Sequence, residues 1–305
     1  MARRASETVA SLSNIRGVNV TENVPFSELT TWKVGGPARL LVDVESAPAL
    51  KGTLLRLGEA AGRMMVLGNG SNVLVSDDGF DGAVLRLRGA LSESAINGDV
   101  LKAGAGAMLG SATSAAGRAS LSGLEFALGI PGTVGGAVMT NAGANESDVA
   151  SVIAEVEALT HEGETRSFTE FEGGYRKPLV PESIIVTAAT LRLRKDSIDS
   201  IKSRMWDARV KRENSQPMGA ATAGSVFKNP PGDSAGRLID ECGLKGSSIG
   251  GASVSRVHAN FIVNEGGANA GDILNLMDRI ASEVEARFGV WLEPEVRLVG
   301  FDKEL

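Results

Sequence analysis

The chain has 305 residues, 43% apolar and 22% charged, with a net charge of −6. One hydrophobic core usually stops growing below that length, so two or three compact units are expected. No apolar run is long enough to cross a bilayer, and the opening MARRASETVASLSN lacks the apolar stretch of a secretory signal, so a cytoplasmic location is expected. One cysteine, Cys242, and two histidines, His161 and His258, leave no internal disulfide and no Cys/His cluster for zinc or iron–sulfur, so no metal site is expected. The acidic balance argues against a nucleic-acid partner.

Ala38 to Val44 reads as a strand. Ser46, Pro48 and the spacing of Leu50, Leu54 and Leu57 predict a helix that Gly62 ends. RMMVLGNGSNVLVSD then predicts strand, tight loop, strand. Its first glycines imitate a dinucleotide fingerprint, but Val73 stands where a third glycine is needed, and Val73 to Val75 favour a strand over a helix. Backbone amides of Gly68, Asn69, Gly70, Ser71 and Asn72 can turn toward a phosphate, a plain structural turn being the alternative. AVLRLRG reads as another strand, and Ala103 to Gly123, rich in small residues but anchored by Met108, Leu109 and Leu121, reads as ordered and closely packed.

GLEFALGIPGTVGGAVMTNAGAN sets Gly129, Gly132, Gly135 and Gly136 around Pro131 and Thr133. Missing side chains there allow backbone to approach a flat or pyrophosphate ligand; tight packing is the alternative. Val152 to Arg194 has β character, and KDSIDSIKSRMWDARVKREN predicts a helix entering a new unit, with a boundary near Lys195. In AGSVFKNPPGD an extended run puts Ser225, Phe227 and Asn229 on one side, with Lys228 reaching that side only after a bend. Ile201 to Lys245 nets +3 within a chain of −6, which suits a di-anionic ligand, or equally a solvated basic surface. KGSSIGG around Ser248 copies a hydrolase nucleophile elbow but is followed by strand-like residues rather than a helix. His258 is by default a hydrogen-bonded structural histidine. Ile273, Leu276, Met277, Ile280, Val284 and Phe288 share one face of a helix begun near Asp272 and closed by Gly289, and WLEPEVRLVGF reads as a strand.

Seven strings in order, TTWKVGGPA, GNGSNVLV, GIPGTVGGAVMTNAGA, GYR, AGSVFKNPPGDSAGRLIDECGLKG, HANFIVN and LEPEVRLVG, run from Thr30 to Gly300. Together they resemble the UDP-N-acetylenolpyruvoylglucosamine reductase family, in its shorter type without an extra substrate-covering loop. The resemblance implies an α+β fold: an FAD-binding fold of the vanillyl-alcohol-oxidase type in two subdomains, set at 1–92 and 93–196, and a substrate-binding domain at 197–305. It implies FAD as cofactor, NADPH as reductant and a monomer working in peptidoglycan synthesis. The substrate it implies is UDP-N-acetylglucosamine-enolpyruvate, reduced to UDP-N-acetylmuramate by hydride at C3 and a proton at C2.

By the same resemblance Ser225 matches the proton donor, Arg176 the arginine that holds developing charge, and Glu295 a catalytic glutamate, expected to have a raised pKa because a bare carboxylate would repel the intermediate. Gly68 to Asn72, with Gly129, Pro131, Gly132, Thr133, Gly135, Gly136, Asn141 and Gly143, would contact FAD. Tyr175, Lys228, Asn229 and His258 would line the substrate pocket. Pro178 stands where a serine is common and Glu213 where a second arginine is common. An alcohol oxidase on the same flavin fold, or a non-catalytic flavin-binding protein, are the competing readings.

Overall fold

A computed structural model describes residues 2–59 and 63–301; Gly62, expected to end a helix, lies outside them. In chain order the main elements begin with α1 (Ala2–Ser13), β1 (Val18–Pro25), β2 (Pro37–Val44), α2 (Ala47–Glu59), β3 (Met64–Val66), β4 (Val73–Val75) and β5 (Phe80–Leu87). They continue with β6 (Ser94–Asn97), β7 (Val100–Gly104), α3 (Leu109–Arg118), α4 (Val134–Thr140), β8 (Ile153–Thr160), β9 (Thr165–Phe168), β10 (Ile184–Arg192) and α5 (Ile198–Ser215). The last third adds α6 (Ala235–Glu241), β11 (Ser248–Ile249), β12 (Ala252–Val254), β13 (Ile262–Asn264), α7 (Ala270–Phe288) and β14 (Arg297–Val299).

The chain divides into two compact units, each assembled from separate stretches. The first holds Met1–Glu22, Leu40–Asn69 and Gly82–Lys211; the second holds Asn23–Arg39, Gly70–Asp81 and Arg212–Leu305. The division after Lys211 falls inside α5, beyond the boundary expected near Lys195, and two N-terminal stretches group with the last third of the chain.

In the first unit, five antiparallel strands run in the order β9-β8-β10-β7-β6. Central β10, IIVTAATLR, buries Ile185, Val186, Ala188 and Ala189 in succession, as a strand covered on both faces must, and its β-branched residues suit that place. A second sheet has the order β1-β2-β5-β3, with β3 and β5 parallel. The α2 leucines, Leu50, Leu54 and Leu57, join the same core as Leu40, Val42 and Val44 of β2, at the helical and strand periods read from the sequence.

The second unit has its own core around Trp32, which is fully buried. The indole N–H of Trp32 donates to the Ile262 carbonyl at 2.8 Å, and Asn264 Nδ2 donates to the Trp32 carbonyl at 2.9 Å. These bonds stitch the TTWKVGG string to β13. Helix α7 buries Ile273, Leu276, Met277, Ile280 and Val284 as expected. Asn269 and Asp272 form a capping box at its start, and Gly289 closes it in the left-handed region at φ 67°. Asp77, from far upstream, adds a cap: its carboxylate accepts from the Ala270 and Gly271 amides at 2.9 and 3.1 Å.

Two local readings change. Val134 to Thr140, read as part of a glycine-rich loop, is the helix α4, because Thr133 caps it and its apolar residues pack inward. Of WLEPEVRLVGF, only Arg297 to Val299 is strand, paired in parallel with β4. Among the described residues no helix is long and apolar enough to cross a membrane.

Candidate active site

Within the first unit the two glycine-rich strings meet. Asn69 Nδ2 donates to the Pro131 carbonyl at 2.7 Å. A Cβ on Gly68 would lie 2.6 Å from Thr133 Oγ1, so only glycine lets these strings touch. Thr133 Oγ1 also accepts from the Gly136 amide at 3.3 Å, capping α4. The Gly132 carbonyl accepts from the Leu109 amide at 2.9 Å.

Gly135 and Gly136 differ in what they do. Gly135 is buried, and a Cβ there would stand 2.8 Å from the Cβ of Ala105; packing demands glycine. Gly136 is exposed, and the nearest atom to its would-be Cβ is Thr133 Oγ1 at 3.5 Å. A glycine inside a helix costs about 1 kcal/mol relative to alanine, and nothing in the protein's own packing asks for it here. A bare, open backbone fits a ligand that must come close, such as a flat flavin or its pyrophosphate.

The end of α4 holds the turn that carries Arg176. Asn141, 1% exposed, donates from Nδ2 to Asp148 Oδ2 and to the Gly174 carbonyl, both at 2.9 Å, and accepts the Ala150 amide at 3.0 Å. Its side chain is committed to the protein, so a cofactor contact there falls to its backbone. Arg176 sits at φ 53°, left-handed and strained for a side-chain-bearing residue. Its Nη1 donates to the Gly143 carbonyl at 3.3 Å, and its guanidinium lies 5.3 Å from the centre of the Tyr175 ring.

In the second unit, the stretch Ser225 to Lys228 is clasped from two sides. On one side the Val226 amide donates to the Asn260 carbonyl at 2.9 Å, and Ser225 bridges to Phe261. Buried Asn260 accepts from the Phe227 amide at 3.0 Å and donates to the Phe227 carbonyl at 2.8 Å. On the other side the Lys228 amide donates to the Glu293 carbonyl, and the Glu295 amide to the Val226 carbonyl, both at 2.8 Å. Pairing thus brings Ser225, Lys228 and Glu295 onto neighbouring segments. Asn72 Nδ2 donates to the Glu295 carbonyl at 3.2 Å, and the Arg297 amide to the Asn72 carbonyl at 3.1 Å, joining the Gly70 to Asn72 end of the loop to the same place. Gly70 is dictated by its φ of 62° and by Leu29, whose carbonyl oxygen would lie 2.1 Å from a Cβ; Ser71 is half-buried beside it.

The side chains depart from a simple alternation. Val226 and Phe227 are both buried while Asn229 is exposed, because Asn260 holds Phe227 by both backbone groups. Ser225 is half-buried, and its hydroxyl has no hydrogen-bond partner among the described residues. The Lys228 ammonium pairs with the Glu293 carboxylate. Asn229 Oδ1 accepts from the Ala235 amide at 3.0 Å, at the start of α6. His258 Nδ1 accepts from the Asn260 amide at 3.2 Å, and its ring packs 4.9 Å from that of Phe261. Burial, then the Lys245 charge, pull its pKa below the usual imidazole value. Ser248 lies on β11, paired with β12, not on a strand-to-helix elbow. Reading residues by type missed Asn260, although the string HANFIVN contains it, and Glu293, whose partner is 65 residues away in sequence.

A reductase from Symbiobacterium thermophilum, UDP-N-acetylenolpyruvoylglucosamine reductase 2, is 43% identical over 303 residues, covering 98% of this chain and 97% of its own. The chain belongs to the UDP-N-acetylenolpyruvoylglucosamine reductase family. The Pediococcus pentosaceus reductase is 41% identical over 94% of this chain and 96% of its own. The crystal structure of the Thermus caldophilus reductase superposes with a TM-score of 0.82 at 42% identity, covering 92% of this chain and 99% of that one. The family's C-terminal domain matches residues 216–299, which include Ser225, Lys228, Asn229, His258 and Glu295. An FAD binding domain matches residues 38–169, which include both glycine-rich strings. The α+β architecture of an FAD-binding domain with a distinct reductase C-terminal domain therefore stands, and FAD is the cofactor.

Proposed function

We propose that this chain is the NADPH-dependent reductase that converts UDP-N-acetylglucosamine-enolpyruvate to UDP-N-acetylmuramate in the cytoplasm, as a monomer, for peptidoglycan synthesis. The observation that carries the reading is the uncommitted Ser225 hydroxyl on a segment paired with Glu295 and followed by Lys228. When bound, FAD supplies the two-electron relay, taking hydride from NADPH and giving it to C3 of the enolpyruvyl group.

The residues do the rest. Reduction at C3 leaves negative charge at C2, delocalised into the carboxylate, so the site must stabilise that charge and deliver a proton. Ser225 donates the proton to C2. A neutral hydroxyl is a weak acid, and the alkoxide it leaves is offset by the Lys228 cation until solvent reprotonates it. The guanidinium fork of Arg176 suits two carboxylate oxygens and never gives up its own proton. Glu295 helps only as a protonated or hydrogen-bonded acid. Gly68 to Asn72 and Gly129 to Gly136, with Gly143, hold the flavin dinucleotide by backbone, and Tyr175, Asn229 and His258 line the substrate pocket.

Purified protein is expected to be yellow and to oxidise NADPH in step with loss of the enolpyruvyl substrate. Colourless protein without FAD affinity would sink the reading, and oxygen consumption with a small alcohol in place of NADPH oxidation would move it to an oxidase. Glu295→Gln is expected to slow the enolpyruvyl half-reaction and to alter its pH–rate profile; an unchanged rate and profile remove Glu295 from the mechanism.

A further inference from the structure

Lys228 and Glu293 face each other across the clasp that carries Ser225. The Lys228 amide donates to the Glu293 carbonyl at 2.8 Å and Phe227 bridges to Pro294, so backbone pairing sets the two residues opposite one another whatever their side chains are. Their side chains then pair, ammonium to carboxylate. The chain on either side of the lysine is fixed as well: the Val226 amide donates to the Asn260 carbonyl at 2.9 Å, and Asn229 Oδ1 accepts the Ala235 amide at 3.0 Å. The ammonium therefore moves by rotation of the side chain alone.

The pair is unequal. The Glu293 side chain is 68% exposed and that of Lys228 33%. Water screens such a pair, so it is worth little, and a carboxylate left alone at that exposure stays solvated, so parting the two strands no buried charge. Arg86 and Asp43 give the contrast: Nε and Nη2 each donate to a carboxylate oxygen at 2.7 Å, and both side chains are mostly shielded from water. That pair is built to stay closed, whereas Lys228 and Glu293 part at small cost. The chemistry also requires them to part. While Glu293 holds the ammonium, its negative charge cancels the one that would offset a Ser225 alkoxide. The proposed substrate brings its own anion to that place, because its carboxylate is bonded to C2, the carbon that Ser225 protonates. Its diphosphate lies beyond the sugar ring.

We propose that Glu293 is a positioning residue, an internal counter-ion that holds the Lys228 ammonium until the enolpyruvyl carboxylate displaces it and draws the cation to the reacting carbon. The inference rests on the reductase reading of Ser225 and Lys228 and adds what readies the lysine. It makes the site selective, since a nucleotide sugar without the carboxylate leaves Lys228 on Glu293.

The test is calorimetric titration of the FAD-loaded protein, without NADPH, using the enolpyruvyl substrate and, as a probe lacking the carboxylate, UDP-N-acetylglucosamine. Wild type is compared with Glu293→Gln, Glu293→Asp and Glu293→Gln in a Lys228→Met background, and kcat is measured for the first three. Glu293→Gln is expected to bind the enolpyruvyl substrate about two- to fivefold more tightly, the worth of one exposed ion pair, at unchanged kcat. Glu293→Asp stays near wild type, and UDP-N-acetylglucosamine gains nothing. In the Lys228→Met background the gain disappears, because Glu293 acts through the lysine. Weaker binding or a lower kcat in Glu293→Gln overturns the proposal by making Glu293 a support that the lysine needs during reaction. An equal gain with UDP-N-acetylglucosamine, or a gain that survives without Lys228, overturns it by reducing Glu293 to a general repulsion of anionic nucleotides, and so does no change at all. A wild type that binds neither nucleotide would instead strike the reductase reading beneath it.

Discussion

Ser225→Ala is expected to leave reduction of the flavin by NADPH at its wild-type rate and to slow transfer to the enolpyruvyl substrate by about 10²–10⁴-fold, the range for losing one positioned acid. The separation follows from chemistry: NADPH gives up hydride without needing a proton from the protein, whereas the carbanion at C2 must be quenched. The backbone should tolerate the change, because Ser225 is held by its bridge to Phe261 and the Val226 and Phe227 bonds to Asn260, none of which uses the hydroxyl. Rapid-mixing absorbance at the flavin band resolves the two half-reactions. Equal loss in both would mean that the serine serves the flavin environment and not proton delivery. A serine nucleophile is not an alternative here, since His258 accepts from the Asn260 amide and packs on Phe261.

Arg176→Lys is expected to cost about 10²–10³-fold in the same half-reaction, comparable to removing one preorganised donor from an oxyanion site, with FAD content and NADPH-driven reduction preserved. Lysine keeps the charge and loses the planar fork. It would inherit the same left-handed backbone at φ 53°, so the comparison isolates the head group from the strain of the turn. The anchor of that turn, the bond from Asn141 to the Gly174 carbonyl, is untouched. A thermal melt matched to wild type excludes an unfolding explanation. Activity within about threefold of wild type would show that a point charge suffices and that no bidentate contact is made.

Much of the local structure is legible because it depends on neighbours in sequence. The α7 face, its cap at Asp272 and its stop at Gly289 follow from a 3.6-residue period and left-handed glycine. The strand, loop, strand reading of GNGSNVLV holds for the same reason, as β3 and β4. Glycine is harder to interpret. Gly68, Gly70 and Gly135 look alike in the sequence to Gly136, yet a Cβ on any of the first three would collide with atoms of Thr133, Leu29 or Ala105, whereas one on Gly136 would meet nothing closer than Thr133 Oγ1 at 3.5 Å. The strict alternation assumed around Ser225 fails because Asn260, 33 residues later, holds Phe227 from the side.

By itself the sequence determined the chemistry available and the elements that carry it: few cysteines and histidines, two glycine-rich strings, a serine in AGSVFKNP, and an arginine and a glutamate in their own strings. Local steric preferences and hydrophobic periods need no distant partner. The tertiary structure decided which stretches share a core, grouping Asn23–Arg39 and Gly70–Asp81 with the last third of the chain, because Trp32 finds its hydrogen-bond partners on β13 and Asp77 caps α7. It also decided that Ser225 and Glu295 lie on paired segments. Those contacts join residues tens to hundreds of positions apart, and burial and hydrogen-bond satisfaction select them only once the whole chain has packed.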